Sequence, residues 1–239
     1  MIRFFFPGMS KVMASGDWTF TAGVEWPQVL LALSMLTMTI GNLCALNQRN
    51  LKRMLAYSGI AHAGYMMMGL AILNPAGLAA ILFYAVVYMI MNVGAFLVVG
   101  MIANVTGDED IEDYRGLAWR GATVPAVCLA IFLFSLTGLP PFAGFVGKFF
   151  LFSAVVKQGG AFAVLAVVAA LNSAVSLYYY AKVVKTMFLD SPTAEDKQIT
   201  LAANNFTLLL PLTFLTVLFG LYFAPLVQYT NHSLRFFIK

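Results

Sequence analysis

The sequence predicts an all-α integral membrane protein with six transmembrane helices, one of them broken between Gly138 and Pro141. Of the 239 residues, 61% are hydrophobic and only 10% are charged, whereas a soluble domain carries roughly 25% charged residues. The apolar residues also run in uncharged stretches of at least the ~20 residues that a helix needs to cross the hydrocarbon core. Most of this chain is therefore expected to lie within the lipid bilayer.

The predicted transmembrane bundle covers residues 26–227. Its spans are placed at residues 26–46, 54–73, 78–105, 123–156, 161–181 and 206–227. Residues 1–25 are interpreted as the end of a preceding helix (1–9) followed by an extracytoplasmic loop, and residues 228–239 as an extracytoplasmic tail. Eight Lys and Arg residues fall in loops on one side and five on the other, so the positive-inside rule places the first side in the cytoplasm.

The distribution of charge argues against nucleic acid as a partner. The net charge is +4, but the cations lie in loops between spans rather than on one basic face. The expected partner is therefore the lipid bilayer, and no nucleic acid is expected. Cys44 and Cys128 stand apart from any CxxC motif or His/Cys cluster. Neither a disulfide framework nor a metal site is predicted.

The fourth span is too long for a single straight helix. Its 34 residues would extend about 51 Å at ~1.5 Å per residue, against a core of ~30 Å. The segment Thr137-Gly138-Leu139-Pro140-Pro141 interrupts it, because proline removes a backbone donor and disfavours helix at the residue before it. Non-helical backbone at that depth is tolerated only inside protein or beside water. We therefore expect a broken helix that faces the protein interior.

Lys148 is the only charged residue within the six predicted spans. The alternative to a functional role is snorkelling, in which the side chain carries its charge to the interface. Lys157, the nearest interface marker, lies about 13 Å away along a helix, which is farther than a lysine side chain reaches. A charge near the midplane costs at least ~2.5–3.5 kcal/mol and marks a functional site by default. Lys148 is thus predicted to accept and release protons.

Further polar side chains are expected at a similar depth. Ser58, His62 and Tyr65 share one face of the second span, because residues three and four apart are neighbours on a helix. His62 is the second candidate relay group, although buried histidines are as often satisfied core residues, and polar groups in membrane helices often only hydrogen-bond a neighbour. The remaining candidates for a hydrophilic axis in the membrane plane are Tyr65, Tyr84, Tyr88, Asn92, Asn172, Ser173 and Ser176.

Two longer connections, residues 106–122 and 186–204, hold most of the acidic residues. They are interpreted as solvated loops on the cytoplasmic side rather than as docking surfaces. The stretch "DYRGLAWR" mixes charged and apolar side chains, so packing against the bundle or a neighbouring subunit stays open.

Three segments carry a resemblance to a known family: "NLCALNQRNLKRMLAYSGIAHAGYMMMGLA", "LTGLPPFAGFVGKFFLF" and "NSAVSLYYYAKVV". The sequences of these segments and their order resemble those of subunit N of proton-pumping NADH:quinone oxidoreductase, which is respiratory complex I or NDH-1. The mitochondrial counterpart of subunit N is NADH dehydrogenase subunit 2. The superfamily also includes Mrp-type cation/proton antiporters and related membrane hydrogenases. The resemblance runs along essentially the whole chain but covers only the C-terminal half of a full family member.

The resemblance implies the antiporter-like (Mrp-type) fold, built from inverted helix repeats that each contain a broken helix. Lys148 matches the lysine of the second broken helix, which belongs to the family's hydrophilic proton axis, and His62 matches a polar position near it. The chain would be one part of a multisubunit oxidoreductase and translocase with no redox site of its own. NADH, FMN, Fe–S clusters and quinone would then bind partner subunits.

The implied partners are other membrane-arm subunits of complex I. Whether a separate chain supplies the missing N-terminal half, or these residues are part of a longer polypeptide, stays open. The implied location is a bacterial cell inner membrane, or alternatively a mitochondrial or plastid membrane. Two other functions stay open: a subunit of an Mrp-type antiporter or related membrane hydrogenase, and an assembly scaffold that does not pump. Sodium dependence of transport separates the antiporter from the redox pump, and substitution of Lys148 separates the scaffold from both.

Overall fold

The computed structural model describes residues 10–12, 18–20, 26–72, 74–192, 198–201 and 206–238. The described chain is helical apart from one short antiparallel pairing of β1 (Ser10–Val12) with β2 (Trp18–Phe20). These strands fall in the segment predicted as a loop. The predicted end of a preceding helix, at residues 1–9, lies outside the described residues.

The helices follow one another through short connections. Asn50 caps the second helix, where its side-chain oxygen accepts a hydrogen bond from the Arg53 amide at 2.9 Å. Asn74 caps the third in the same way, accepting from the Gly77 amide at 2.7 Å. In chain order the helices are α1 (Trp26–Leu46), α2 (Leu51–Ala71), α3 (Pro75–Thr106), α4 (Thr123–Thr137), α5 (Ala143–Val156), α6 (Ala161–Phe188), α7 (Phe206–Leu221) and α8 (Ala224–Ile238).

The all-helical class is confirmed, but the count of six spans is not. Within the described residues, α1, α3 and α6 are long and apolar enough to cross a membrane, and α7 with α8 makes a fourth if the bent pair is one span. Helix α2 is as long as α1 but is less apolar, because it contains Lys52, Arg53 and His62. Helices α4 and α5 have 15 and 14 residues, so neither alone reaches the ~20 residues of a full span.

The span predicted over residues 206–227 is wrong at its C-terminal end. Helix α7 ends at Leu221, and α8 begins at Ala224 after a bend of 87°. Pro225 contributes to the corner, because it offers no amide hydrogen to the Leu221 carbonyl at the end of α7, while it fits the first turn of α8, where its missing amide would have no partner in the helix. The segment predicted as a tail from residue 228 onwards is therefore helical as far as Ile238.

The predicted interruption lies between α4 and α5. Gly138 has a φ of +91°, a left-handed conformation that glycine adopts without steric cost, and its amide donates back to the Phe134 carbonyl at 3.1 Å. The hydroxyl of Ser135 accepts a hydrogen bond from the Gly144 amide at 3.0 Å. Because this bond joins the last turn of α4 to the first turn of α5, the two half-helices form one unit.

The segment 107–122 packs against one end of the bundle, which we call the loop end. Leu51 donates its amide to the Glu109 carbonyl, and Ile111 to the Arg49 carbonyl, each at 2.8 Å. The Gly116 amide reaches the Thr186 carbonyl at 2.9 Å. The apolar side chains that this segment buries are Ile111, Tyr114, Leu117, Ala118 and Ala122. The stretch "DYRGLAWR" therefore packs against the bundle, which is one of the alternatives that its sequence left open, and the segment is not a fully solvated loop.

Candidate functional site

Lys148 lies on α5 with its side chain turned back against the interruption of the helix. Its ammonium group donates a hydrogen bond to the Thr137 carbonyl at 2.7 Å and another to the Ser173 hydroxyl at 2.9 Å. The Nζ atom also stands 4.7 Å from the ring centroid of Tyr65. Only 4% of the residue is exposed. The predicted site is therefore an enclosed one, built where α2, α4, α5 and α6 meet.

The surroundings of this ammonium group are dipoles rather than charges. Thr137 is the last residue of α4, and the carbonyl groups in the last turn of a helix lack intrahelical partners and carry partial negative charge. The tyrosine ring adds a cation–π contact. The acidic residues of the chain all lie outside the predicted spans. The helix end, the serine hydroxyl and the ring are thus what stabilise a proton on Lys148 in the described part of the chain.

His62 forms a second buried pair with Tyr84. Its Nδ1 atom lies 2.7 Å from the Tyr84 hydroxyl, and the residue is 2% exposed. The imidazole ring also packs against Tyr88, with ring centroids 4.9 Å apart. An imidazole and a phenol in this contact can exchange a proton, since each group both donates and accepts. The structure therefore brings together the histidine of α2 and two predicted tyrosines of α3.

Tyr65 is a neighbour of both Lys148 and His62. Its ring centroid lies 4.7 Å from the Lys148 Nζ atom and 5.8 Å from the centroid of the His62 ring. The Tyr65 hydroxyl is buried without a hydrogen-bond partner of good geometry among the described residues, and Asn42 and Ser173 lie close to it. The lysine and the histidine thus belong to one polar region that includes the tyrosine ring.

The remaining predicted residues lie at different distances from this centre. Ser173 is within it, because its hydroxyl also donates to the Thr137 carbonyl at 2.9 Å. Ser176 bonds only to the Ser173 carbonyl in its own helix, at 2.7 Å. The side-chain oxygen of Asn92 is buried with no hydrogen-bond partner in the part of the chain that is described. Ser176 and Asn92 are thus near the site without a bond to its two polar pairs.

Asn42 is the residue that sequence reasoning missed. Its amide nitrogen donates to the side-chain oxygen of Asn172 at 3.0 Å, and its oxygen accepts from the Tyr179 hydroxyl at 2.8 Å. Asn172 in turn donates to the Thr39 hydroxyl at 3.2 Å. The signal was the spacing of Asn172, Ser176 and Tyr179 on one face of α6, which indicates a polar stripe that needs polar partners on the helix packed against it.

The described residues do not fit a metal or iron–sulfur site. Cys44 on α1 and Cys128 on α4 are both free. No group of three or more His, Cys, Asp or Glu side chains that could hold a metal ion occurs within the described ranges. The donor set of the site consists of an amine, an imidazole, hydroxyl groups and amides, which is suited to passing protons.

Comparison with known proteins gives the family. The model of the family described as NADH:quinone oxidoreductase/Mrp antiporter, transmembrane, matches residues 8–173, more than half of the chain. The chain belongs to this family. The antiporter-like fold predicted from the sequence is therefore confirmed, together with the resemblance on which it rested.

Relatives within the antiporter family have specific names. The chain is 50% identical over 222 residues to "NADH-quinone oxidoreductase subunit N" of Anaeromyxobacter sp. (strain Fw109-5), covering 90% of this chain and 43% of the relative. It is 47% identical over 238 residues to "NADH-quinone oxidoreductase subunit N 2" of Sorangium cellulosum (strain So ce56), covering 98% and 45%. The chain thus spans about half the length of the curated relatives that it matches.

Solved structures of the antiporter family share the fold. A chain of respiratory complex I from Thermus thermophilus with bound aureothin aligns with a TM-score of 0.73 at 31% identity, over 84% of this chain and 45% of that one. A chain of the membrane-bound sulfane sulfur reductase, an archaeal respiratory membrane complex, aligns with a TM-score of 0.81 at 24% identity, covering 90% and 43%. The second likeness shows the fold alone.

Proposed function

We propose that this chain forms the C-terminal part of a subunit N in a proton-pumping NADH:quinone oxidoreductase, and that it provides part of a proton path through the membrane. The observation that carries the proposal is the buried ammonium group of Lys148, held by the Thr137 carbonyl and the Ser173 hydroxyl at the end of a broken helix. The names of the relatives at 47–50% identity support the assignment to this enzyme.

Lys148 is the proton-exchanging group in this proposal. The Thr137 carbonyl holds the Nζ atom in place, and Ser173 can accept a proton from it and donate one onward, since a hydroxyl group does both. The interruption between α4 and α5 matters because it leaves the end of α4 free to face the lysine. Loss of the proton would weaken both hydrogen bonds, so that the charge of Lys148 and the geometry of the break are coupled.

The His62–Tyr84 pair is the second proton-exchanging unit. The Lys148 ammonium group bonds to Thr137 and Ser173 rather than to this pair, and the ring of Tyr65 neighbours both. The buried hydroxyl of Tyr65 offers a position for a bridging water, which would need two to four polar partners. Tyr88 and Asn92 extend the same stripe along α3, and Asn172 and Ser176 border Ser173 on α6. In this proposal protons move in the membrane plane, from one helix to the next.

The redox chemistry belongs to other subunits in this proposal. NADH oxidation with FMN and Fe–S clusters, and quinone reduction, would take place on partner chains. Other membrane-arm subunits and a polypeptide carrying the N-terminal half of the fold are the proposed protein partners, in a bacterial inner membrane. Electron transfer would act on Lys148 through conformational or electrostatic change in these neighbours.

Affinity purification of the tagged chain from its native membrane tests the proposal. We expect complex I subunits to co-purify and the preparation to transfer electrons from NADH to a quinone. Vesicles containing it should pump protons when NADH is added, with no requirement for sodium. Co-purification with antiporter subunits, together with sodium-dependent transport and no NADH oxidation, would contradict the proposal in favour of an Mrp-type antiporter.

A further inference from the structure

A groove of about 250 Å³ runs between α3, α5 and α8 at the end of the bundle opposite the loop end. Its mouth is polar and includes Ser153, Lys157 and Asn231, whereas Ala80, Phe83 and Phe150 line its apolar part. Phe83 and Phe150 pack edge to face, with centroids 5.2 Å apart. Phe150 lies about two turns before Lys157, the residue that follows α5, so the groove extends about 10 Å below its charged mouth.

The orientation of α8 places this mouth at the membrane surface. Helix α8 turns through 87° from α7, so it lies close to the membrane plane if α7 crosses the bilayer. Leu226 and Val227 pack towards the core, and Thr230 and Leu234 are buried on the same side, whereas Tyr229 is 77% exposed. An amphipathic helix in this position sits at the boundary between headgroups and acyl chains.

The charge around the groove has one sign. Lys157 is exposed at its mouth, and none of the segments that form the groove, residues 72–83, 150–160 and 224–234, contains an aspartate or a glutamate. A cation next to hydroxyl and amide groups, above an apolar slot, matches an anionic headgroup above an acyl chain. Ammonium and amide groups donate hydrogen bonds that the phosphate of such a headgroup accepts.

We propose that this groove binds one anionic phospholipid of the bilayer, with its phosphate at Lys157 and an acyl chain along Phe83 and Phe150. The headgroup would accept hydrogen bonds from Lys157 and Asn231, and Ala80 leaves room for the acyl chain because its side chain is small. The site lies apart from Lys148 and does not depend on the proposed proton path.

Quenching by brominated lipids tests the site in the full chain, purified with its co-purifying subunits and placed in lipid nanodiscs. A fluorophore is attached at Ala79→Cys, within the groove, after Cys44→Ser and Cys128→Ala remove the native thiols. Brominated phosphatidylglycerol and brominated phosphatidylcholine are compared at equal mole fraction. We expect about fivefold preference for the anionic lipid, which is what one lysine near an anionic surface supplies.

Two variants and one reference position make the result specific. Lys157→Gln should abolish the preference, whereas Lys182→Gln, which changes an exposed lysine on α6, should leave it intact. A fluorophore at Leu171→Cys, on the exposed face of α6, should be quenched equally by both lipids. Equal quenching by both lipids at Ala79 would overturn the proposal, since the groove would then only contact bulk bilayer. Absence of quenching at Ala79 but not at Leu171 would also overturn it, because another protein would then fill the groove.

Discussion

The Nζ atom of Lys148 on α5 donates a hydrogen bond of 2.7 Å to the carbonyl of Thr137, the last residue of α4. The two residues lie on opposite sides of the interruption, so the lysine of one half-helix caps the end of the other. Cations are favoured at helix C-termini, where carbonyl groups are unpaired. The broken helix therefore does more than shorten a long span, because it creates the acceptor that allows an amine to be buried without a carboxylate beside it.

Ser173→Ala should weaken proton transfer without abolishing it. The substitution removes one of the two hydrogen bonds of the Lys148 ammonium group and leaves the Thr137 carbonyl in place. A hydrogen bond to a charged group contributes about 1.5–3 kcal/mol, so we expect proton pumping to fall by about tenfold or more. Ser173→Thr retains the hydroxyl group and should restore most of the rate. Equal pumping by wild type and Ser173→Ala in NADH-driven vesicles would remove Ser173 from the path.

Gly144→Val should destabilise the broken helix. A Cβ atom at Gly144 would overlap the Ser135 carbonyl, and overpacking of this kind costs typically about 1–3 kcal/mol. Thermal unfolding of the detergent-solubilised protein measures the loss. Gly100→Ala on α3 is the control, because nothing lies within 4 Å of a Cβ atom there, and replacing glycine in a helix stabilises by about 0.5–1 kcal/mol. Unchanged thermal stability of Gly144→Val would show that the two half-helices are not packed as described.

Asn42→Ala should loosen the contact between α1 and α6. The substitution leaves the Tyr179 hydroxyl and the side-chain oxygen of Asn172 without their buried partner, which costs about 1–3 kcal/mol in the free energy of unfolding. Adding Tyr179→Phe should cost little more, because residues in one hydrogen-bond network are not additive. Full additivity of the two substitutions in thermal unfolding would show that Asn42 and Tyr179 do not share a bond.

Lys148 and the helix break beside it could be singled out from the sequence, whereas the contacts between side chains could not. Lys148 stood out because a charge in an apolar run has to be explained, and Pro140 and Pro141 marked the break beside it. His62 and Tyr84 were predicted on separate helices, but only packing could show that they touch. Asn42 escaped notice because it lies near the end of a helix, where polar residues are common and carry little information about contacts.

The bend between α7 and α8 could not be predicted from hydropathy. Residues 206–227 form one apolar run, so hydropathy does not distinguish a straight span from two helices at 87°. Pro225 is a local signal for the bend, but the span was assigned from the length of the uncharged run alone. In the segment 107–122 the acidic residues suggested a solvated loop, while the apolar side chains of "DYRGLAWR" left packing against the bundle open, and these apolar side chains decide the packing. In both segments a few individual residues determine the structure more than the average hydropathy or charge of the segment does.

The ion pair at the loop end should make stability depend on pH. Lys52 donates a hydrogen bond of 2.8 Å to the Glu109 carboxylate, which lowers the pKa of that carboxyl group from its ordinary value. The contact therefore stabilises the fold above the unfolded pKa, about 4.3, and is lost as the pH falls through the lower, folded value. Lys52→Gln should unfold at a lower temperature than wild type at pH 7, with the difference closing under acidic conditions. A difference independent of pH would show that the carboxylate is not involved.

Proton pumping by Lys148→Ala in inverted membrane vesicles, measured as protons taken up per NADH oxidised, tests directly whether Lys148 exchanges protons. Lys182→Ala is the control, because Lys182 is an exposed lysine outside the site. We expect both variants to assemble and to oxidise NADH, with the proton yield several-fold lower in Lys148→Ala and unchanged in Lys182→Ala. A wild-type proton yield in an assembled Lys148→Ala complex would contradict the proposed proton exchange at Lys148 and make the buried lysine a structural residue.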